Sequence, residues 1–382
     1  MKGDLEVLIA GAGPTGLALA SGLAARGVRA LVVERAAARA GSSRAALIHA
    51  RTLEVLEPIG VAERLAAQGL QARRFSIRDR DRILVPVRFD ELPTRYPYTL
   101  MVSRATTEAL LLERLAQLGG GVLWQRGVID VEQDGDGVTA LLSDGRRLRS
   151  RYLVGADGMR STVRRRLGLA LSCARRPQSF SLADVRLDSD LPRDEVIVYF
   201  SPAGLAMLAP LPGGLHRIVA TARDAPERPD AAYLQALLDA RGPRRSRAVV
   251  REVAWGSRFF VQRRLAEGFR AGRVLLAGGA AHVHGPAGDP GMNTGIQDAM
   301  ALAEALAAAL RTGSQAPLER YDQARRPAAR EVIALADRLT RLAALGDALR
   351  PPRNALLNFF ARFPGFRRRL AGRLSGLAHE GK

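Results

Sequence analysis

The stretch that most constrains this chain is residues 4–35, where a short apolar run, a glycine turn, an alanine-rich segment and a second apolar run end in an acid. Leu5-Glu6-Val7-Leu8-Ile9-Ala10 is too short and too β-branched for a buried helix and reads as a central parallel strand. Gly11-Ala12-Gly13-Pro14-Thr15-Gly16 follows at once. Gly11 permits the tight turn, Gly13 lets a pyrophosphate approach the backbone, and Gly16 lets the next helix lie close on the strand. Pro14 suits a first helical turn, since its missing N–H would have had no partner there. The helix is expected to run to about Arg26 and stop at Gly27, with residues 29–33 as the second strand. Glu34 then stands at a strand end, where a carboxylate can accept hydrogen bonds from a ribose. This order of elements predicts a dinucleotide-binding α/β unit.

Composition narrows the chemistry by exclusion. A chain of 382 residues can bury a large core in one big or two interlocked domains. Its formal charge of +20 suggests nucleic acid, yet the arginines are scattered and no basic block is interleaved with aromatics, so no nucleic-acid partner is expected. The only lysines are Lys2 and Lys382, which argues against a Schiff-base lysine, a P-loop lysine and bound pyridoxal phosphate. Cys173 stands alone, which argues against intramolecular disulfides, cysteine-ligated zinc and iron–sulfur clusters. No signal peptide precedes the first strand and no apolar run is long enough to span a bilayer, so a cytoplasmic location is the simplest expectation.

After Glu34 comes a loop rich in Ala, Ser and Arg. Apolar residues at Leu47, Leu53, Leu56 and Ile59 predict a helix ending near Gly60. Arg44 and Arg51 could reach phosphates or a ring, or lie solvated on the surface. Residues 71–99 alternate apolar and polar with prolines between, as short antiparallel strands or a lid would. Ser103 or Thr106 can cap a helix whose buried stripe is Leu110, Leu111, Leu115 and Leu118. Strands are predicted over 122–131 and 138–142, and again over 152–156, where Asp157-Gly158 turns the chain. Asp157 there could bind a hydroxyl or a phosphate-bound water, or be an ordinary turn aspartate. Residues 180–221 are strand-dense, with a hairpin turn at 210–214, then a short helix at 231–240 and a strand region at 251–263.

A third informative stretch begins with a buried strand at 273–277 and runs through Gly278-Gly279-Ala280-Ala281-His282-Val283-His284-Gly285-Pro286-Ala287-Gly288-Asp289-Pro290-Gly291-Met292-Asn293 into a helix reaching about Arg311. Such a loop sits at a strand's carboxyl end and a helix's amino end, where free N–H groups favour an anionic or electron-rich group. His282 and His284 invite a metal, but no third ligand is nearby; structural hydrogen bonding is the expectation and no metal site is assigned.

The glycine turn with Glu34-Arg35, the segment Val154-Gly155-Ala156-Asp157-Gly158-Met159-Arg160-Ser161-Thr162-Val163-Arg164, and residues 273–299 resemble the three fingerprints of the flavin-dependent aromatic hydroxylases, the single-component class A monooxygenases with the p-hydroxybenzoate hydroxylase fold. The resemblance runs from the first strand to about Leu345, and three ordered motifs are far more specific than one. It implies an α/β fold in which a Rossmann-like FAD-binding domain (1–70, 101–175 and 266–345) is interleaved with an antiparallel-sheet substrate domain (71–100 and 176–265), followed by a helical tail (346–382). It also implies extended FAD, its pyrophosphate at Gly11, Gly13, Pro14, Thr15 and Gly16 and its ribose on Glu34 and Arg35. Arg44, Arg104 and Val128 would contact the cofactor, and Asp157 and Gly158 would support FAD and the passing nicotinamide nucleotide. Gly279 would lie by the ribityl chain, and Pro286, Gly288, Asp289, Gly291, Met292 and Asn293 would lie along the ring. The implied reaction is reduction of FAD by NADPH or NADH, capture of O2 as a flavin hydroperoxide, and hydroxylation or epoxidation of a hydrophobic, aromatic or polycyclic small molecule. The family needs no dedicated protein acid or base, so no catalytic residue is assigned.

Two departures from the family pattern stand out. Gly279 replaces the usual aspartate that holds a ribityl hydroxyl, a loss of about 1.5–3 kcal/mol of binding. Asp289-Pro290 replaces the usual Gly-Gln, putting a carboxylate near the ring and stiffening the loop. These departures keep two other readings open: an FAD-dependent reductase or oxidase that inserts no oxygen, and a degenerate homologue that binds a ligand without turnover. The basic, phenylalanine-bearing tail could rest on a membrane surface; packing on the protein's own body or a partner subunit is the expectation, without membrane association.

Overall fold

Parallel pairing fixes the first layer. In the computed structural model, which describes residues 5–38, 47–173, 178–261, 264–284 and 290–379, Leu5–Ala10 lies between Ala30–Val33 and Arg147–Gly155, parallel to both. Leu8 is opposite Leu31 on one side and Leu153 on the other. Val274–Leu276 extends the parallel sheet beyond Arg147–Gly155, and Val122–Leu123 extends it beyond Ala30–Val33. An antiparallel flap, Val128–Gln133 and Val138–Leu142, hangs on Arg147–Gly155. Both faces are covered, so the central strands are continuously apolar. Val7, Leu8 and Ile9 are fully buried beneath Leu17 and Leu23 of the helix Pro14–Ala24, Leu111 of Arg104–Gln117, and Ile296 and Leu306 of Pro290–Thr312.

A seven-stranded sheet makes the second layer. Its order is Ala248–Val261, Gln178–Ser189, Leu215–Thr221, Gly204–Pro210, Glu195–Ser201, Arg74–Asp79, Arg82–Arg88, antiparallel except where Glu195–Ser201 runs alongside Arg74–Asp79. Directly paired residues share a face. Leu182, Val219, Met207, Val198 and Ile77 therefore form one apolar stripe across five strands. That inner face packs against Leu47, Ala72 and Met101 of a small sheet and against Ala343, Ala361 and Ala371 of the last helices. The opposite face is closed by Leu234, Leu237 and Leu238 of the helix Ala231–Arg241.

Two expectations shift. The helix predicted over 47–59 begins later, at Ala50–Leu56 with a 3-10 turn Glu57–Ile59, because Leu47–Ile48 pairs as a strand with Thr99–Met101. The Asn293 side chain holds Leu47 O and the N–H of His49, capturing backbone groups that a longer helix would need. The strand predicted over 122–131 is interrupted: the N–H groups of Gln125 and Arg126 turn aside to Ala36 O and Glu34 O. The tail forms two helices, Arg350–Ala361 and Pro364–Leu374, both laid against the protein's own body.

Candidate active site

The fold brings the three sequence stretches to one place. Gly11 has φ +109°, and a β-carbon there would run into the backbone of Ala156 and reach within 3.0 Å of Asp157 Cα. Gly16 faces Gly11 O so closely that any side chain would overlap it, which is how the helix comes down on the strand. The third stretch closes the ring, with Gly278 and Gly295 both against Thr15 and Gly279 against Gly158. Arg164, buried, donates to Ala280 O at 2.8 Å and to Met159 O at 3.1 Å, fastening the second stretch to the third.

Several polar groups at this junction are placed for a ligand. The helix Pro14–Ala24 starts at Gly13 with no side-chain cap and no acid in its first turn, leaving its amino end for an anion. Arg104 lies over that end: Nη2 is 3.4 Å from where a β-carbon on Gly13 would stand, and Nε is held by buried Glu108 at 2.7 Å. Glu34 accepts from the N–H of Ala12 through Oε2 (2.8 Å) and of Ala36 through Oε1 (2.9 Å), which fixes the carboxylate beside the glycine turn with lone pairs to spare. Arg35 is exposed beside it, its Cβ 3.0 Å from a β-carbon built on Gly127, and Val128 follows as a buried residue. Asp157 Oδ2 caps the helix Thr162–Arg166 through the N–H groups of Thr162 (2.7 Å) and Val163 (3.2 Å). Among the described residues its Oδ1 is buried without a hydrogen-bond partner, an acceptor open to a donor from a ligand or water.

The two histidines are structural. Asp298, fully buried, accepts from Arg325 Nε at 2.7 Å and from Gly278 N at 3.2 Å, and lies 2.5 Å from His282 Nε2. Burial pushes this carboxyl up, but the charges of Arg325 and His282 and their hydrogen bonds outweigh it and hold it at about 2. An ionised Asp298 accepts from His282 Nε2, and His282 Nδ1 lies 2.7 Å from His284 Nε2, close enough for the two rings to share one hydrogen bond. Among the described residues, His284 Nδ1 is buried with no hydrogen-bond partner. Sequence reasoning gave Asp298 and Arg325 no role. Sixteen residues separate His282 from Asp298 and 27 separate Asp298 from Arg325, so only the fold joins them.

Met292 packs partly buried on the core and Asn293 is committed to Leu47 and His49. Gly291 opens the helix Pro290–Thr312, and a side chain there would meet nothing within 4 Å. Arg44, Pro286, Gly288 and Asp289 lie outside the described residues.

A family profile described as the FAD binding domain matches residues 4–336, most of the chain. The chain belongs to this family of flavin-dependent monooxygenases. It is 41% identical over 390 residues to 6-methylpretetramide 4-monooxygenase of Streptomyces rimosus, covering 98% of this chain and 69% of that one. Among solved structures, p-nitrophenol 4-monooxygenase PnpA from Pseudomonas putida DLL-E4 superposes with a TM-score of 0.86 at 26% identity, covering all of both chains. The OxyS anhydrotetracycline hydroxylase from Streptomyces rimosus superposes at 0.80 with 34% identity, covering 97% of this chain and 76% of that one. The protein is thus an FAD-dependent oxidoreductase of this family, with the α/β architecture and antiparallel second sheet expected from the three motifs.

Proposed function

We propose that this flavin-dependent monooxygenase uses NADPH or NADH and O2 to hydroxylate a hydrophobic, polycyclic aromatic molecule. The observation that carries this reading is the junction of the three stretches around the buried, partnerless Oδ1 of Asp157. The residues present suit FAD. The uncapped amino end of Pro14–Ala24 and Arg104 would hold the pyrophosphate, with Gly11, Gly13 and Gly16 keeping the approach open. Glu34, with Arg35 and Val128 beside it, would take the adenosine end. Asp157 Oδ1 would accept a hydroxyl from the sugar or ribityl chain, next to Gly158 and Gly279. When bound, FAD supplies hydride acceptance and oxygen activation.

The chain's own part is to orient and to exclude water. The inner face of the seven-stranded sheet, apolar at Leu182, Val198, Met207 and Val219, would wall the site of an apolar substrate. A polar point on that face is the buried pair Arg217–Asp184, with Arg217 Nε 2.7 Å from Oδ1 and Nη2 2.8 Å from Oδ2. A fixed guanidinium of this kind would orient a phenolic or enolic oxygen. The small sheet joins this face to the flavin site, since Leu47 packs on the face while Asn293 holds its carbonyl. Relatives named for 6-methylpretetramide and anhydrotetracycline support a polycyclic substrate, and one named for p-nitrophenol supports an aromatic one.

Gly279 favours one second reading, a flavin reductase or oxidase that inserts no oxygen. The experiment that separates them is to load the purified chain with FAD, screen phenolic polycycles for stimulated NAD(P)H and O2 consumption, and weigh the product. One added oxygen atom per turnover is expected. Hydrogen peroxide in place of oxygenated product would select the second reading, and a protein that never takes up yellow flavin would defeat both.

A further inference from the structure

Ten large hydrophobic side chains are exposed among the described residues, and six of them fall between positions 342 and 363: Leu342, Leu349, Leu356, Phe359, Phe360 and Phe363. Leu349, Leu356, Phe360 and Phe363, spaced seven, four and three apart, stack along one side of the helix Arg350–Ala361 and its flanks. The other side is used: Ala361 and Ala371 are buried, and Leu357, Phe366, Leu370 and Leu374 pack on the inner core. The exposed rings are held by one another, with Phe359 5.3 Å from Phe363 and 5.7 Å from Phe360 between ring centres. They crown a corner, where exposed Pro364 and Gly365 turn the chain into Pro364–Leu374. This is a firm projection of apolar rings rather than a frayed end.

Charge says what meets it. Residues 350–374 contain seven arginines and no acid. Arg350 pairs with Asp79 and Arg353 is buried against Leu342 O, Ala343 O and Asn354. Arg362, Arg368, Arg369 and Arg373 are exposed on the same two helices and their junction, and Arg367 is half-buried. A second copy of this chain would meet the patch with the same uncompensated arginines across a two-fold axis, on a molecule of net charge +20. Exposed aromatic rings on two helices whose exposed charges are all guanidinium groups match a surface with an apolar interior and anionic headgroups. No helix among the described residues is long and apolar enough to cross a membrane, so contact would be from one side.

We propose that the corner of the two tail helices is a docking surface for an anionic lipid bilayer, with Phe359, Phe360 and Phe363 entering the acyl boundary and Arg362, Arg368, Arg369 and Arg373 at the headgroups. The test is co-sedimentation of the FAD-loaded full chain with vesicles of phosphatidylcholine alone or mixed with phosphatidylglycerol. The protein is expected to pellet with the anionic vesicles only and to be released by salt. Phe359→Ser/Phe363→Ser and Arg368→Glu/Arg369→Glu should each lower partitioning about tenfold or more, while Ile129→Ser, at an exposed apolar site outside the tail, leaves it unchanged. All these positions are exposed, and matching melting curves check that the variants fold. Failure of the wild type to pellet, or equal pelleting of the phenylalanine variant, would overturn the proposal. So would a wild-type dimer that ignores vesicles and becomes monomeric in that variant, which would give the patch to a second copy.

Discussion

Gly279 shows how one missing side chain can be read two ways. Read from the sequence, it is the loss of a flavin-holding carboxylate. In the structure, a β-carbon at this position would stand 3.2 Å from Gly158 Cα and 3.4 Å from Met159 N, so the two strand-end turns sit closer than a substituted residue finds comfortable. Gly279→Asp must therefore push the 157–159 turn back by a few tenths of an ångström before its carboxylate can reach a ribityl hydroxyl. We expect FAD to bind about tenfold tighter in the variant, the low end for one charged hydrogen bond because part is offset by that displacement. The apoprotein should melt slightly lower. Flavin-fluorescence titration of both proteins measures this, and an unchanged dissociation constant would reject a role for position 279 in flavin grip.

At the scale of elements, the loop after Val274–Leu276 is tied to the helix Pro290–Thr312 and onward to Ala316–Ala343 by one run of side chains: His284, His282, Asp298, Arg325. Burial, reinforced by the neighbouring His282, holds the His284 imidazole well below its usual value of 6.5, with Asp298 opposing. The unfolded chain therefore takes up a proton at this position below about pH 6.5 that the folded chain does not. This contribution to stability is complete above pH 6.5 and shrinks as the pH falls toward the depressed folded value, by up to about 1.4 kcal/mol per pH unit. His216, buried on the outer face of the large sheet, is lowered by burial and acts in the same direction. Urea unfolding at pH 7.5 and 5.5 should show the wild type losing more stability than His284→Asn, which lacks the His284 share. Parallel losses in the two proteins would show that His284 does not carry this linkage.

Considered whole, the molecule puts the residues proposed to contact flavin on stretches from the beginning, middle and later part of the chain, packed on one parallel sheet. A ligand gripping all three should stabilise the parallel-sheet layer as a unit. FAD at about 100 times its dissociation constant adds about 2.7 kcal/mol, which for a chain of this size raises the melting point by roughly 3–5 °C. Differential scanning fluorimetry with and without FAD reads this out. An unmoved transition would mean that the junction at Asp157 does not take the cofactor.

Local chemistry made much of this legible. Leu5–Ala10, the Gly11 turn and the helix from Pro14 are specified by neighbours within a few positions, so strand, turn and helix appear in the structure as the residue pattern predicts. Ser103 is likewise visible as a cap because its partner, Thr106 N, is three residues away. Asn293 could not be read so: it lies 244 residues from His49, whose N–H it binds, and nothing local in either segment marks the other. The same distance problem hid the strand at Leu47–Ile48, which exists only because Thr99–Met101 comes alongside. What the amino-acid order determined alone was the nucleotide-binding class of the first layer and the family, since both rest on short-range patterns of glycine, acid and β-branched residues. What only the tertiary structure decided was which polar groups are joined or left over: the unmatched oxygen of Asp157, the chain from Asp298 through His282 to His284, and the open face of the tail. Those depend on what the rest of the chain has already satisfied or covered, and that is settled only when distant segments pack.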